Sequence, residues 1–204
     1  MHISEGVLSP AVLGAGAALA ALGVTAGLKR LDYDRLMTVA ILSSAFFVAS
    51  LIHVPIGPSS AHLVLNGLLG VMLGWAAFPA IFVALALQAL LFQFGGLTVL
   101  GVNTFNMALP PVLCFYVFRP MLSGPSRLRG GAAFACGFLS VGASALLTAV
   151  SLGLSGEAFI PAARALMLAH IPIMIAEGVV TALVVSFIAR VRPEMLVFTS
   201  TAHG

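Results

Sequence analysis

The sequence predicts an all-α membrane protein of about seven transmembrane helices, with its N-terminus outside and its C-terminus cytoplasmic. Three observations carry this. Of 204 residues, 61% are hydrophobic and only 7% are charged, whereas a soluble domain carries roughly 25% charged residues. The mean hydropathy is +1.16. The basic residues, finally, fall between apolar runs rather than along them. Such a chain cannot cover its own apolar surface, so lipid is its natural solvent, and a single transmembrane domain over residues 1–204 is expected. The net charge of +3 is too small to point to nucleic acid.

A span needs about 20 apolar residues. Such runs are read at 8–28, 37–53, 61–75, 77–94, 104–118, 131–152 and 169–189. The third and fourth meet at Gly74-Trp75-Ala76-Ala77-Phe78-Pro79, a tight turn with an interfacial aromatic. One long segment there would leave six spans. With seven spans and the N-terminus outside, Lys29, Arg30 and Arg35 are cytoplasmic. So are Arg119, Arg127 and Arg129 in the next basic loop and Arg190 and Arg192 in the tail. Only Arg164 is left outside. This is the asymmetry of the positive-inside rule, and six spans would break it.

Gly23 with Gly27, and Gly70 with Gly74, are spaced for close helix approach in lipid. Packing within the bundle is expected of them ahead of docking onto a partner. Cys114 and Cys136 sit in apolar runs and are read as small packing residues. The chain opens Met1-His2-Ile3-Ser4-Glu5-Gly6, with an acid where a cleavable signal has its basic region, so Met1 is expected to be retained.

Met1-His2 is the most informative dipeptide. The α-amine, the His2 backbone amide and the His2 imidazole lie in sequence, and a metal held by all three closes a five- and a six-membered ring. Nickel(II) and copper(II) favour such planar nitrogen sites, cobalt(II) can accept one, and hard ions such as magnesium prefer oxygen. A lone N-terminal histidine is more often simply solvated. Here, however, the tether to the first span is short, and a further nitrogen donor stands on the same side. That donor is His62, in Pro58-Ser59-Ser60-Ala61-His62-Leu63, at the outer end of the third span. Ser59 and Ser60 could orient its ring. His53, at the outer end of the second span, competes for the role, or caps a helix or lines the site. Position favours His62.

Met1-His2-Ile3-x-Glu5-Gly6-x-Leu8, Ser59-Ser60-Ala61-His62-Leu63 and Leu100-Gly101-x-Asn103-x-x-Asn106-Met107 together resemble the CbiM/NikM family. Its members are the cobalt- or nickel-capturing membrane subunits of energy-coupling-factor transporters, and the likeness runs over nearly the whole chain. The resemblance implies a seven-helix fold with the N-terminal segment tucked into the bundle. It implies ligation of Co²⁺ or Ni²⁺, as transported substrate, by the Met1 amine, the His2 amide and imidazole, and the His62 imidazole. It also implies a bacterial inner-membrane location and partners: a membrane coupling subunit, ATP-binding-cassette ATPases and a small accessory membrane subunit. A link to cobalamin biosynthesis goes with the cobalt-type members. Nickel-type members often carry Thr-Ser-Gly before the histidine. The run Ser59-Ser60-Ala61 leans toward cobalt.

Polar groups inside lipid are costly and tend to be functional or paired. Gln88 and Gln93 flank the outer half of the fourth span. The glycine-rich stretch 95–103 is expected to fold back over the outer pocket. Asn103 and Asn106 would either tie that loop to the N-terminal segment or cap the fifth helix. His170 and Glu177 share a helix face, and a structural hydrogen-bonded role is favoured over a proton relay. Glu157 and Arg164 are placed in an outer loop.

No phosphate-binding loop is present, nor any catalytic triad or carboxylate pair, so an enzyme is not expected and ATP hydrolysis would belong to partners. The alternative is a stand-alone proton-coupled metal transporter or channel using His170 and Glu177. More remote is an intramembrane enzyme. Capture at neutral nitrogen ligands should weaken below about pH 6–7, where histidine protonates.

Overall fold

The computed structural model describes residues 1–51 and 53–196, and of Val54 the backbone alone. Among the described residues, seven α-helices and one small hairpin follow an extended N-terminal segment. They are α1 (Pro10–Lys29), α2 (Leu36–Ala49), β1 (His53–Ile56), β2 (Ser59–His62), α3 (Asn66–Leu73), α4 (Ala77–Phe92), α5 (Leu100–Leu122), α6 (Ser126–Ser155) and α7 (Ile160–Val191). Among the described residues, five stretches are long and apolar enough to cross a membrane: Pro10–Lys29, Asn66–Phe92, Leu100–Leu122, Ser126–Ser155 and Glu157–Val191. The protein is therefore helical and multi-pass. At a rise of 1.5 Å per residue, the 14 residues of α2 and the eight of α3 fall short of a full bilayer on their own.

Several boundaries differ from expectation: α5, α6 and α7 begin at Leu100, Ser126 and Ile160, ahead of the runs read from 104, 131 and 169. The second run, read as 37–53, leaves the helix after Ala49, and the third, read as 61–75, begins as a strand and turns helical only at Asn66. Between them β1 and β2 pair antiparallel, with His53 opposite His62 and Ile56 opposite Ser59. Gly57 closes the turn at φ +54°, a left-handed conformation that glycine adopts without steric cost. Arg164, expected in a loop, stands in the first turns of α7.

Glycine and proline set how the helices meet. Carbons added at Gly23 and Gly27 would strike Phe78 and Pro79, so α1 lies directly on α4. Gly70 likewise abuts Pro111 of α5. Both spaced pairs thus contribute to packing within the bundle. Pro111 lacks an N–H for the Met107 carbonyl one turn earlier, and the buried Asn66 Nδ2 donates to that carbonyl instead, at 3.1 Å. The same amide donates to Ser144 Oγ at 2.9 Å, tying α3 to α5 and α6. Cys136 is buried, Cys114 half-buried, and both are free thiols.

The two ends of the bundle differ in chemistry. At one, the Arg30 guanidinium lies 4.8 Å from the Trp75 ring centroid, and Arg35 donates to the Met72 and Met195 carbonyls at 3.2 and 2.5 Å. The N-terminal segment, the hairpin and the loop after α4 meet at the other.

Candidate metal centre

The N-terminal segment runs into the bundle instead of into solvent. Met1 is 0%, His2 6% and Ile3 0% exposed. Met1 joins the main apolar core, while Ile3 packs in a second cluster with Leu8, Val99, Val102 and Leu152. Polar contacts hold the backbone between them. Ile3 N donates to Asn103 Oδ1 at 3.0 Å, and Asn103 Nδ2 returns a bond to the Ile3 carbonyl at 3.2 Å. Ser4 N donates to the Pro58 carbonyl in the hairpin turn, and Glu5 N to the Gly95 carbonyl.

The loop after α4 closes over this segment through Gly95 and Gly96, whereas residues 100–103 of the stretch expected to fold back are already helical, in α5. Gly95 and Gly96 have φ of +75° and +135°. A carbon added at Gly96 would lie 2.0 Å from Glu5 Cγ, so the loop backbone lies directly against that side chain. The Glu5 carboxylate accepts from Thr98 N at 3.1 Å and from Thr98 Oγ1 at 3.3 Å.

The hairpin brings His62 to the same place. Its ring, 2% exposed, stacks on that of His2 with centroids 4.7 Å apart. His62 Nδ1 lies 3.0 Å from the Leu63 carbonyl. A carbonyl only accepts, so Nδ1 carries the proton and Nε2 keeps the lone pair. That Nε2 is buried with no hydrogen-bond partner. Buried polar atoms are nearly always paired, so this lone pair is one of the few in the fold left open to a ligand. On the other ring, His2 Nε2 lies 2.8 Å from Gln88 Oε1.

Burial governs the electrostatics. Desolvation holds the Met1 α-amine well below its usual 8.0. It also lowers His2 to about 3, with the nearby amine charge adding to the shift. His62 is pushed well below 6.5 by the same causes. Burial thus favours the neutral form of all three groups, the state in which nitrogen binds a metal.

His53 lies opposite His62 in the hairpin but points its chemistry elsewhere. Its Nδ1 donates to the Leu51 carbonyl at 3.1 Å and its ring meets Phe94 edge-on. With Ser59, Ser60 and Gln93 it lines a recess of about 140 Å³ leading to His2. Neither serine orients the His62 ring. The Leu63 carbonyl does, because the strand turns there, and Ser59 Oγ is left unpaired. Asn103 ties the N-terminal segment as one reading had it, whereas Asn106 donates to Ser151 Oγ at 3.1 Å, between α5 and α6.

Glu177 has a structural task. Its Oε1 accepts from Val64 N and Leu65 N at 2.5 and 2.6 Å, the amides entering α3, while Leu65 takes a left-handed φ of 56°. His170 Nδ1 donates to the Leu166 carbonyl at 2.7 Å. Sequence reasoning singled out Gln88 only as a polar residue in lipid. Its contact with His2 depends on α4 lying beside the N-terminal segment, which no local pattern discloses.

Residues 2–195 match the CbiM family model, described as the cobalt uptake substrate-specific transmembrane region. A Haemophilus influenzae protein named for metal transport is 42% identical over 96% of this chain and 97% of its own length. The fused nickel transport protein NikMN of Rhodobacter capsulatus is 34% identical, over 96% of this chain and 64% of its own length. A crystal structure of a transition metal transporter superposes with a TM-score of 0.81 at 31% identity, covering 100% of both chains.

Proposed function

Because this chain belongs to the CbiM family of cobalt-uptake membrane proteins, we propose that it captures Co²⁺ or Ni²⁺ at its outer face with four nitrogens. These are the Met1 amine, the His2 amide and imidazole, and His62 Nε2. The family is a transporter component and not an enzyme, and its relatives are named for cobalt and for nickel transport.

One observation carries the assignment. The Met1-His2 end is buried against His62, whose Nε2 has a lone pair and no partner. Imidazoles at neighbouring corners of one ion, with metal–nitrogen bonds of about 2 Å, bring their ring centroids to roughly 4–5 Å. The observed 4.7 Å fits that spacing. A planar all-nitrogen set with a metal-deprotonated amide suits nickel and cobalt and gives hard cations little.

The wider reading is a single domain over 1–204 in a bacterial inner membrane, with seven membrane-embedded helices and the N-terminus outside. Its support is the contrast between the two ends of the bundle. Lys29, Arg30 and Arg35 lie at the end opposite His2 and His62, as the positive-inside rule asks. Import would be driven by partner subunits: a membrane coupling subunit, ATP-binding-cassette ATPases and a small accessory membrane protein. The fused NikMN relatives, of which this chain spans about two thirds, fit a further component beside it.

Calorimetric titration of the purified, metal-free chain with Co²⁺ and Ni²⁺ tests the site. His2→Ala and His62→Ala should each abolish tight binding. Undiminished affinity in both variants would sink the assignment.

A further inference from the structure

Resting on the reading of His2 as a ligand, we propose that Gln88 is a positioning residue that locks the His2 imidazole in the one tautomer able to close the chelate. Gln88 is fully buried in α4. Its Nε2 donates to the Phe47 carbonyl at 3.0 Å and to Ser50 Oγ. Ser50 has already given its own proton to the Phe46 carbonyl at 2.7 Å, so its oxygen is free to accept. The Phe47 carbonyl can only accept. The amide nitrogen of Gln88 must therefore face α2, which turns Oε1 toward the N-terminal segment.

An amide oxygen cannot donate. His2 Nε2, 2.8 Å away, must then be the N–H, and in a neutral imidazole this leaves the lone pair on Nδ1. Nδ1 is the atom the chelate requires. The amide nitrogen, Cα, Cβ, Cγ, Nδ1 and the ion close a six-membered ring, whereas Nε2 lies too far round the imidazole to join it. His62 is set the opposite way, its Nδ1–H held by Leu63 and its Nε2 free. Two stacked rings are thus fixed in opposite tautomers before any ion arrives, each with the free nitrogen on the side its role demands. The bond from His2 to an amide oxygen also makes the ring a more basic ligand.

The test is ¹⁵N spectroscopy of the full metal-free chain with labelled histidine, the His2 signals being assigned by their loss in His2→Ala. Wild-type His2 is expected to show a protonated Nε2 and a bare Nδ1, and His62 the reverse. Gln88→Met, similar in length but with no acceptor oxygen, should mix the His2 tautomers and weaken Co²⁺ binding by about 10–100-fold, the usual effect of losing a partner behind a metal ligand. Gln88→Glu keeps an acceptor and should keep the Nε2–H form. A bare Nε2 on wild-type His2 overturns the proposal, and so do unchanged signals and affinity in Gln88→Met. If Gln88→Met does not fold, the wild-type signals alone decide. Failure of the underlying assignment looks different: His2→Ala would then bind Co²⁺ as wild type does, whatever the tautomer.

Discussion

Ile3 and Asn103 join through both faces of one peptide-like pair: the Ile3 N–H reaches Asn103 Oδ1 at 3.0 Å and Asn103 Nδ2 reaches the Ile3 carbonyl at 3.2 Å. This imitates a strand ladder where no strand exists. It places the residue after His2 against the first turn of α5 and so fixes where the N-terminal end lies. Asn103→Leu leaves both Ile3 groups buried and unpaired, at about 1–3 kcal/mol each. The variant should lose Co²⁺ affinity and several degrees of metal-free melting temperature. Unchanged melting and affinity would show that the pairing does not hold the segment.

The α-amine is needed only if Met1 begins the clamp. Acetylation of Met1, or residues added before it, should remove most metal affinity while leaving helix content intact by circular dichroism. Full affinity in the acetylated protein would remove the amine from the ligand set.

The loop over the site depends on Gly96. At φ +135° and with no room beside Glu5, Gly96→Ala forces the loop off the N-terminal segment. The expected outcome is faster dissociation of Co²⁺ in stopped-flow chelator competition. Glu5→Gln keeps an acceptor for Thr98 and should have a smaller effect. An unaltered off-rate in Gly96→Ala would mean that the loop does not hold the ion in place.

Docking of the N-terminal segment in the metal-free protein should weaken in acid. Unfolded or undocked, the amine and the imidazoles titrate near 8.0 and 6.5, whereas buried they resist protonation, His2 down to about 3. The released state therefore binds more protons over that range, and stability rises with pH there. The contribution is complete above pH 8.0, fades as pH falls past 8.0 and then 6.5, and is lost for His2 toward pH 3. Melting temperatures of wild type and His2→Ala should converge on moving from pH 7 to pH 5. A gap constant across that range contradicts the burial of neutral His2.

Glu177→Gln retains an acceptor for Val64 and Leu65, so metal binding should persist and the melting temperature fall little. Glu177→Ala leaves two buried amides unpaired, at about 1–3 kcal/mol each, and should lower the melting temperature clearly. ATP-independent, proton-driven Co²⁺ uptake by the purified chain in liposomes, lost in Glu177→Gln, would instead favour the stand-alone transporter.

Much of the proposed site could be read from the sequence because the chemistry it rests on is covalent and local. Met1-His2 carries three donor nitrogens in fixed order whatever the fold. The long apolar runs of α1, α4, α5, α6 and α7 declare themselves because lipid demands them. The hairpin did not. Of its strand residues only His53, Ala61 and His62 fall at the ends of apolar runs, the rest lying in the Pro- and Gly-containing stretch between them, and a pairing of His53 with His62 is a contact between segments, not a pattern within one. Asn103 and Asn106 looked equivalent in sequence. One helical turn apart at the start of α5, they face different neighbours, Ile3 and Ser151.

The sequence by itself thus determined the solvent, since an apolar chain with so few charges must lie in lipid, and it singled out the candidate chelating dipeptide, whose ring sizes would follow from bond connectivity. Only the tertiary structure decided which histidine meets it, what closes over it and which ring nitrogen is left bare. Those depend on backbone and side-chain groups up to about a hundred residues away, Asn103 and Gln88 among them. Buried polar atoms must find partners, and only the folded bundle determines which partners are within reach.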